Sequence, residues 1–219
     1  MRYQLLNLLF PPKCILCREL LKAEETDLCH SCRKDAPFLT KAKNKYSFVA
    51  GWTAIWYYKG NVRRSLLRYK FYRGRSLAAA YGRLLATQLM AAGQDSFDVL
   101  TWVPISPLRR IRRGYDQGQL LAEALGRELG VTPVRCLRKV RHTKVQSRLN
   151  RESQRRANVS GAYRICADVK DQRILLLDDI ITTGATVSEC AKTLLVAGAK
   201  EVRCGAVAVT PNEKNHTNM

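Results

Sequence analysis

The stretch Ile174-Leu175-Leu176-Leu177-Asp178-Asp179-Ile180-Ile181-Thr182-Thr183-Gly184-Ala185-Thr186 decides how the rest of this chain is read. Four consecutive aliphatic residues without alternation fit a central strand of a parallel sheet, covered on both faces. Two adjacent carboxylates end the run, a tight loop rich in Thr and Gly follows, and Thr186 opens a helix that Gly198 stops. Such a loop offers backbone N–H groups and hydroxyls beside the positive end of a helix, which suits a phosphate dianion. Gly184 lets the backbone approach closely. The carboxylates cannot serve that phosphate; they suit hydroxyls, or a hydrated Mg²⁺. A ligand with a diol at one end and a phosphate at the other, such as a ribose 5-phosphate, satisfies both. An ordinary strand-to-helix turn capped by Thr186 accounts for Thr186 and Gly184, but not for two unpaired Asp in a chain of net charge +20.

Working outward, the pattern alternates between strand and helix. Toward the C-terminus a final strand spans Glu201 to Val209, and residues 211–219 read as a disordered tail. Upstream, Phe97 to Val103 forms a short apolar strand stopped by Pro104 and Pro107. Leu120, Leu121, Ala124, Leu125 and Leu129 share one helical face over 117–129, with Gly130 just past the end. Residues 131–138 and Gly161 to Cys166 predict further strands. The aromatic and β-branched run Phe48 to Tyr58 predicts a strand that Gly60-Asn61 breaks. Basic and apolar residues from Val62 to Tyr72 predict one helix, and Leu77 to Leu89 another. Alternation of this kind implies an α/β domain with a mostly parallel sheet, and ligands of such sheets bind beyond the carboxyl ends of the strands.

At the front, Cys14, Cys17, Cys29 and Cys32 form two C-x2-C pairs separated by eleven residues. Two residues between cysteines let both thiolates of a turn face one ion, and two such turns complete the tetrahedron zinc prefers. The segment has too few apolar residues to fold alone, so the metal would supply its folding energy. Two disulfides, or unrelated buried cysteines, are the alternatives, and disulfides need an oxidising compartment that nothing in the sequence indicates. His30 reads as a solvated neighbour. A closed four-sulfur site is structural or partner-binding and not catalytic. Cys136, Cys166, Cys190 and Cys204 read as small core residues, and the Lys-rich segment 33–47 as a linker.

Hydrophobic residues make up 46% of the 219 and charged residues 26%, enough for a packed core and against global disorder. No stretch approaches the ~20 apolar residues a membrane span needs. Residues 2–10 read as a short amphipathic helix ended by Pro11-Pro12, too short for a signal-peptide core. The expectation is a cytoplasmic protein. The charge of +20 and pI near 10.0 speak to partners: nucleic acid, phosphorylated small molecules or an anionic surface.

The stretch from Ile174 to Thr186 closely resembles the signature that binds phosphoribosyl pyrophosphate (PRPP) in type I phosphoribosyltransferases. By that resemblance Asp178 and Asp179 hold the ribose hydroxyls, with Mg²⁺, and Thr182, Thr183, Gly184, Ala185 and Thr186 hold the 5-phosphate. The likeness extends over residues 10–210. The four cysteines, the aromatic strand, Tyr58-Lys59-Gly60-Asn61-Val62-Arg63, Lys70-Phe71, Val103-Pro104-Ile105-Ser106-Pro107, Arg112-Arg113-Gly114-Tyr115-Asp116-Gln117 and Thr143-x2-Gln146-x2-Leu149-x-Arg151 together resemble the competence-associated ComF family. Asp116 departs from the family pattern, which has Asn there. The resemblance implies a type I phosphoribosyltransferase fold with helices on both sheet faces. It also implies three parts: an N-terminal helix and zinc module (1–40), the phosphoribosyltransferase-like domain (48–210) and the tail (211–219).

It further implies that Pro104, Ile105, Ser106, Arg112 and Arg113 form a pyrophosphate loop, where arginine forks suit phosphate oxygens. The basic segment from Arg135 to Arg156, nine Lys/Arg against the single acid Glu152, corresponds to a mobile loop that includes Lys139, Arg141, Gln146 and Arg151. Closure of that loop would exclude water from the reacting centre. Tyr69, Tyr72 and Tyr115 lie among basic residues, an arrangement that could stack bases and track a backbone. Three functions remain: Mg²⁺-dependent phosphoribosyl transfer to an unknown acceptor, single-stranded-DNA binding in DNA uptake, and recruitment of a helicase or other uptake component by the zinc module.

Overall fold

A computed structural model describes residues 11–40, 42, 46–71, 74–141 and 159–211. Its centre is a four-stranded sheet of β1 (Gly51–Tyr57), β2 (Val99–Trp102), β5 (Arg173–Ile181) and β6 (Glu201–Val209) in the order β1-β6-β5-β2, every pair parallel. A second sheet pairs β3 (Leu137–Lys139) with β4 (Tyr163–Ile165) antiparallel. The helices are α1 (His30–Asp35), α2 (Gly60–Phe71), α3 (Leu77–Ala91), α4 (Pro107–Arg113), α5 (Gln117–Leu129) and α6 (Ala185–Val196).

Period-two alternation divides the β5 side chains between two cores. Leu175 and Leu177 pack with Leu66, Tyr69, Tyr81, Leu85, Leu121 and Leu125 of α2, α3 and α5, whereas Ile174 and Leu176 pack with Val187, Cys190, Ala191 and Leu194 of α6. The sheet is therefore covered on both faces, as its unbroken aliphatic run requires. Helices α3 and α5 meet at Gly82, where a Cβ would lie 2.8 Å from the Ala124 carbonyl carbon and 2.9 Å from its Cβ.

Several elements differ from their sequence reading. Strand β5 does not end at Leu177: it continues through both carboxylates to Ile181, because β6 keeps pairing with it as far as Val209. The run after Ser106 is the short helix α4 and not a loop, with Pro107 in its first turn and Gly114 (φ 76°) capping its end. The linker is partly structured. Residues 30–35 form α1, and Phe38 pairs antiparallel with Trp56, so that Leu39 N–H donates to Ile55 O (2.9 Å) and Tyr57 N–H to Pro37 O (2.7 Å). Strand content within 131–138 shrinks to the start of β3. Cys136, Cys190 and Cys204 are buried as expected, but Cys166 is exposed. The helix expected at residues 2–10 and the tail beyond residue 211 lie outside the described residues.

The cysteine module packs against the same core as α2 and α3. Cys14, Leu16, Leu28, Cys29 and Cys32 are buried with Leu66, Tyr69 and Tyr81. Polar contacts pin it: Arg68 donates to Ile15 O (2.7 Å) and Leu16 O (3.0 Å), Ser65 Oγ donates to Ile15 O, and Arg83 forks onto Asp27 (2.6 and 2.9 Å). No helix among the described residues is long and apolar enough to cross a membrane.

The α3–α5 crossing yields a direct test. Gly82→Val pushes two backbones apart in a close-packed core, and we expect a loss of about 2–3 kcal/mol in urea unfolding with the m-value unchanged.

Candidate functional site

Strand β2 stops at Trp102, opposite Leu177, while β5 and β6 run on together. Past Leu177 no strand among the described residues pairs with that edge of β5, and Asp178 and Asp179 are the first residues along it. The carboxyl end of the sheet here forms an open cleft of about 1590 Å³. It brings together Asp178, Asp179, Thr182, Gly184 and Thr186 with Pro104, Ile105, Arg112, Arg113 and Lys139. Of the other expected site residues, Ser106 is buried at the N-cap of α4, Thr183 lies in the β5–α6 turn, and Ala185 is the first residue of α6. Arg141 is exposed and donates to Ser160 O (2.6 Å). Gln146 and Arg151 lie outside the described residues.

Adjacent strand residues point to opposite faces, and the two carboxylates have different surroundings. Asp179 is 3% exposed; its Oδ1 meets Lys70 Nζ of α2 at 2.9 Å, and its Oδ2, although buried, has no hydrogen-bond partner among the described residues. Asp178 is half-buried, accepts the Asp179 backbone N–H (2.8 Å), and lies toward Lys139 and Cys190. Burial first, and the Asp179 charge second, push the Asp178 carboxyl up to about 8. An orphaned carboxylate oxygen in an open cleft is what a diol or a divalent cation would satisfy, so the pair fits both groups chemically.

The turn from β5 into α6 supplies the other half. Gly184 is the N-cap of α6 at φ 77°, a left-handed conformation that glycine adopts without strain. A side chain there would overlap the Tyr46 ring, which itself packs 5.2 Å from the Trp52 ring. The residue that needs Gly184 to be small is thus an aromatic from the connection after the cysteine module. Thr183 Oγ1 is buried and lacks a partner among the described residues, but Thr183 does not line the cleft.

Asp116 ties the far side of the cleft together. Its Oδ1 accepts from Gly118 N (3.0 Å) and Gln119 N (3.3 Å), capping α5, and its Oδ2 accepts from Ile105 N (3.2 Å). It therefore fixes the Pro104–Ser106 turn, and because both of its oxygens accept N–H groups, an Asn in the same pose would keep only one of these two sets of bonds. Lys139 belongs to β3 and not to a loop; its Nζ lies 3.1 Å from Tyr163 OH, and burial, then Arg109, push it down to about 8. Tyr69 and Tyr115 do not form a stacking strip. Both are buried, Tyr69 donating to Gln117 O (2.5 Å) and Tyr115 to Tyr69 O. Tyr72 lies outside the described residues. Phe71 is exposed instead, with the Arg113 guanidinium 4.9 Å from its ring centre.

The four cysteine sulfurs lie within 4.8 Å of one another. Zinc–sulfur distances of about 2.3 Å place the corners of a tetrahedron about 3.8 Å apart, and Cys17 and Cys29 already stand 3.5 Å apart. Burial opposes ionisation of Cys14, but N–H groups of Cys29, Cys17 and Leu16 outweigh it and bring the thiol down to about 7. Burial pushes Cys17 up to about 11 and Cys32 higher still. A dication relieves that crowding of thiolates, so the cluster fits structural zinc. His30 is exposed and outside the cluster.

Two outcomes follow for the free protein. Between the ordinary value of 3.8 and about 8, folded Asp178 keeps a proton that the unfolded chain has released, so its effect on stability becomes more unfavourable as pH rises through that window. Asp178→Asn removes this effect, and its melting-temperature advantage over the parent should grow from pH 5 to pH 8 in scanning fluorimetry. Stripping the zinc with a strong chelator and a reductant should lower the melting temperature by on the order of 10 °C.

A phosphoribosyl transferase domain model matches residues 116–219, and a double zinc ribbon domain model matches residues 5–43. Competence protein ComFC of Streptococcus pneumoniae is 30% identical over 188 residues, covering 85% of this chain and 77% of that protein. Competence protein F of Haemophilus influenzae is 26% identical over 221 residues, covering 90% and 96%. DNA utilization protein YhgH of Salmonella typhimurium is 34% identical over 139 residues; the match spans only 61% of each chain. Among solved structures, the glutamine PRPP amidotransferase from B. subtilis aligns with a TM-score of 0.45 at 21% identity, covering 64% of this chain and 30% of that one. Purine phosphoribosyltransferase from Pyrococcus horikoshii aligns with a TM-score of 0.36 at 20% identity, covering 60% and 72%. The extent of the ComFC match, joined to a phosphoribosyl transferase domain behind a zinc ribbon, makes this chain a member of the ComF family.

Proposed function

We propose that the cleft binds PRPP with Mg²⁺ and that the chain transfers the phosphoribosyl group to an acceptor. One observation carries the reading: Asp179, whose buried Oδ2 has no partner among the described residues, lines the same cleft as Thr182, Gly184 and Thr186 of the β5–α6 turn. A ribose diol suits the first end, and a 5-phosphate suits the amides and hydroxyls of Thr182 to Thr186 at the second. Pyrophosphate would then lie toward the Pro104–Ser106 turn and the arginines of α4, which line the cleft. Transfer breaks the C1′–oxygen bond to pyrophosphate and forms a bond from C1′ to the acceptor nucleophile. Bound Mg²⁺ supplies charge neutralisation for the departing pyrophosphate, and Arg112 and Arg113 donate to its oxygens.

A second reading has its own support. Arg63, Arg75, Arg109, Arg112 and Arg113 line the cleft beside exposed Phe71 and Ile111. Relatives carry names from competence and DNA utilization. Single-stranded DNA held by this rim, with PRPP binding retained, would make the chain an accessory of DNA uptake working in the cytoplasm. In both readings residues 1–40 act as the zinc module and 48–210 as the ligand-binding domain.

Calorimetry with PRPP and Mg²⁺ tests the core of the proposal. Saturable heat is expected, with affinity at least about tenfold weaker in Asp179→Ala; no heat with the parent sinks it. Pyrophosphate release in the presence of bases or amines separates the two readings. Binding without release under any acceptor favours the accessory role.

A further inference from the structure

Lys70 sets a positive charge directly against Asp179. It sits in the last turn of α2, and the residues just before it are fixed from two sides. Arg68 is held by the zinc-module carbonyls of Ile15 and Leu16, and Tyr69 by Gln117 O and the Tyr115 hydroxyl. From this anchored base the ammonium reaches Asp179 Oδ1 at 2.9 Å. Lys70 keeps a fifth of its side chain exposed and lines the cleft, whereas the Asp179 side chain is 4% exposed.

A purely structural ion pair this deep is normally completed by further hydrogen bonds, since half-satisfied buried charges are costly. Here Asp179 Oδ2 is left without a partner among the described residues. A divalent cation arriving at these carboxylates would meet the ammonium as a like charge within the same few ångströms, and the two cannot share the site without cost. The stem of a lysine is long and flexible, so the ammonium can leave one oxygen for another nearby.

We infer that Lys70 is a positioning residue. Through the 2.9 Å contact it holds the Asp179 carboxylate oriented toward the cleft, and it is displaced toward the ligand's phosphate oxygens when the cation arrives. The inference rests on the proposal that the cleft takes a sugar phosphate with a divalent metal. It names the group that the metal must dislodge.

The test uses full-length, zinc-loaded protein and Lys70→Met, which keeps the apolar stem and removes the charge. Mn²⁺ alone is titrated by electron paramagnetic resonance, and PRPP with Mg²⁺ by calorimetry. Lys70→Met is expected to bind Mn²⁺ about threefold or more tightly than the parent, yet PRPP about tenfold more weakly. Lys70→Arg should restore PRPP affinity to within about threefold. A merely structural lysine would weaken both ligands together. Unchanged or weaker Mn²⁺ binding in Lys70→Met therefore overturns the inference. So does a failure of both Lys70→Met and Lys70→Gln to fold, since the charge would then be needed for the fold itself. If the parent binds Mn²⁺ but no PRPP, the reading of the cleft's ligand fails, and the Mn²⁺ comparison still decides the role of Lys70.

Discussion

A carboxylate withdrawn from water has to be matched by positive charge or by hydrogen bonds, and among the described residues Asp179 is matched on one oxygen only, by Lys70. Much of the molecule is arranged around that half-met requirement. The end of β2 at Trp102 opens the edge of β5 where Asp179 stands. Helix α2 brings Lys70 to it from the opposite wall, and the helix is held in turn by the cysteine module on one side and by α5 on the other. Asp116 closes the circuit by capping α5 and gripping the turn that faces Asp179 across the cleft. This edge of the sheet is therefore supported by elements drawn from nearly the full length of the described chain.

The parts that were legible in the sequence are those with local causes. The four cysteines announce their tetrahedron by spacing alone, and their sulfurs meet. The aliphatic run before Asp178 signals a strand covered on both faces, and the Thr/Gly turn signals a helix start. The boundary at Leu177 was misread because a carboxylate pair looks like the end of a strand. Pairing with β6, which no local pattern reveals, carries the strand four residues further. Helix α4 was hidden by its arginines, although Pro107 at its start and Gly114 at its end were both visible as helix signals.

What was not legible depends on tertiary contact. Lys70 and Asp179 are separated by more than a hundred residues, and nothing near either one marks the other. Tyr69 and Tyr115 sit among basic residues, a setting that fits a stacking platform as well as a core position, and the hydroxyl of each finds a carbonyl inside the core, which lets an amphipathic ring be buried. Pro37 to Leu39 lay within a Lys-rich tract, so their antiparallel pairing with β1 had no signal of its own. The same holds for Tyr46 over Gly184, which links the segment after the cysteines to the start of α6.

The way Arg68 and Ser65 grip the metal-binding turn has an implication for how this protein tolerates change. Ser65 donates to the main-chain oxygen of Ile15, and Arg68 to those of Ile15 and Leu16, not to any side-chain polar group there. The latch recognises the path of the backbone and is blind to residue identity. Exchanges among aliphatic residues at 15 and 16 leave it intact as long as the loop keeps its shape, whereas an inserted or deleted residue between Cys14 and Cys17 would swing those oxygens away and release the helix that carries Lys70.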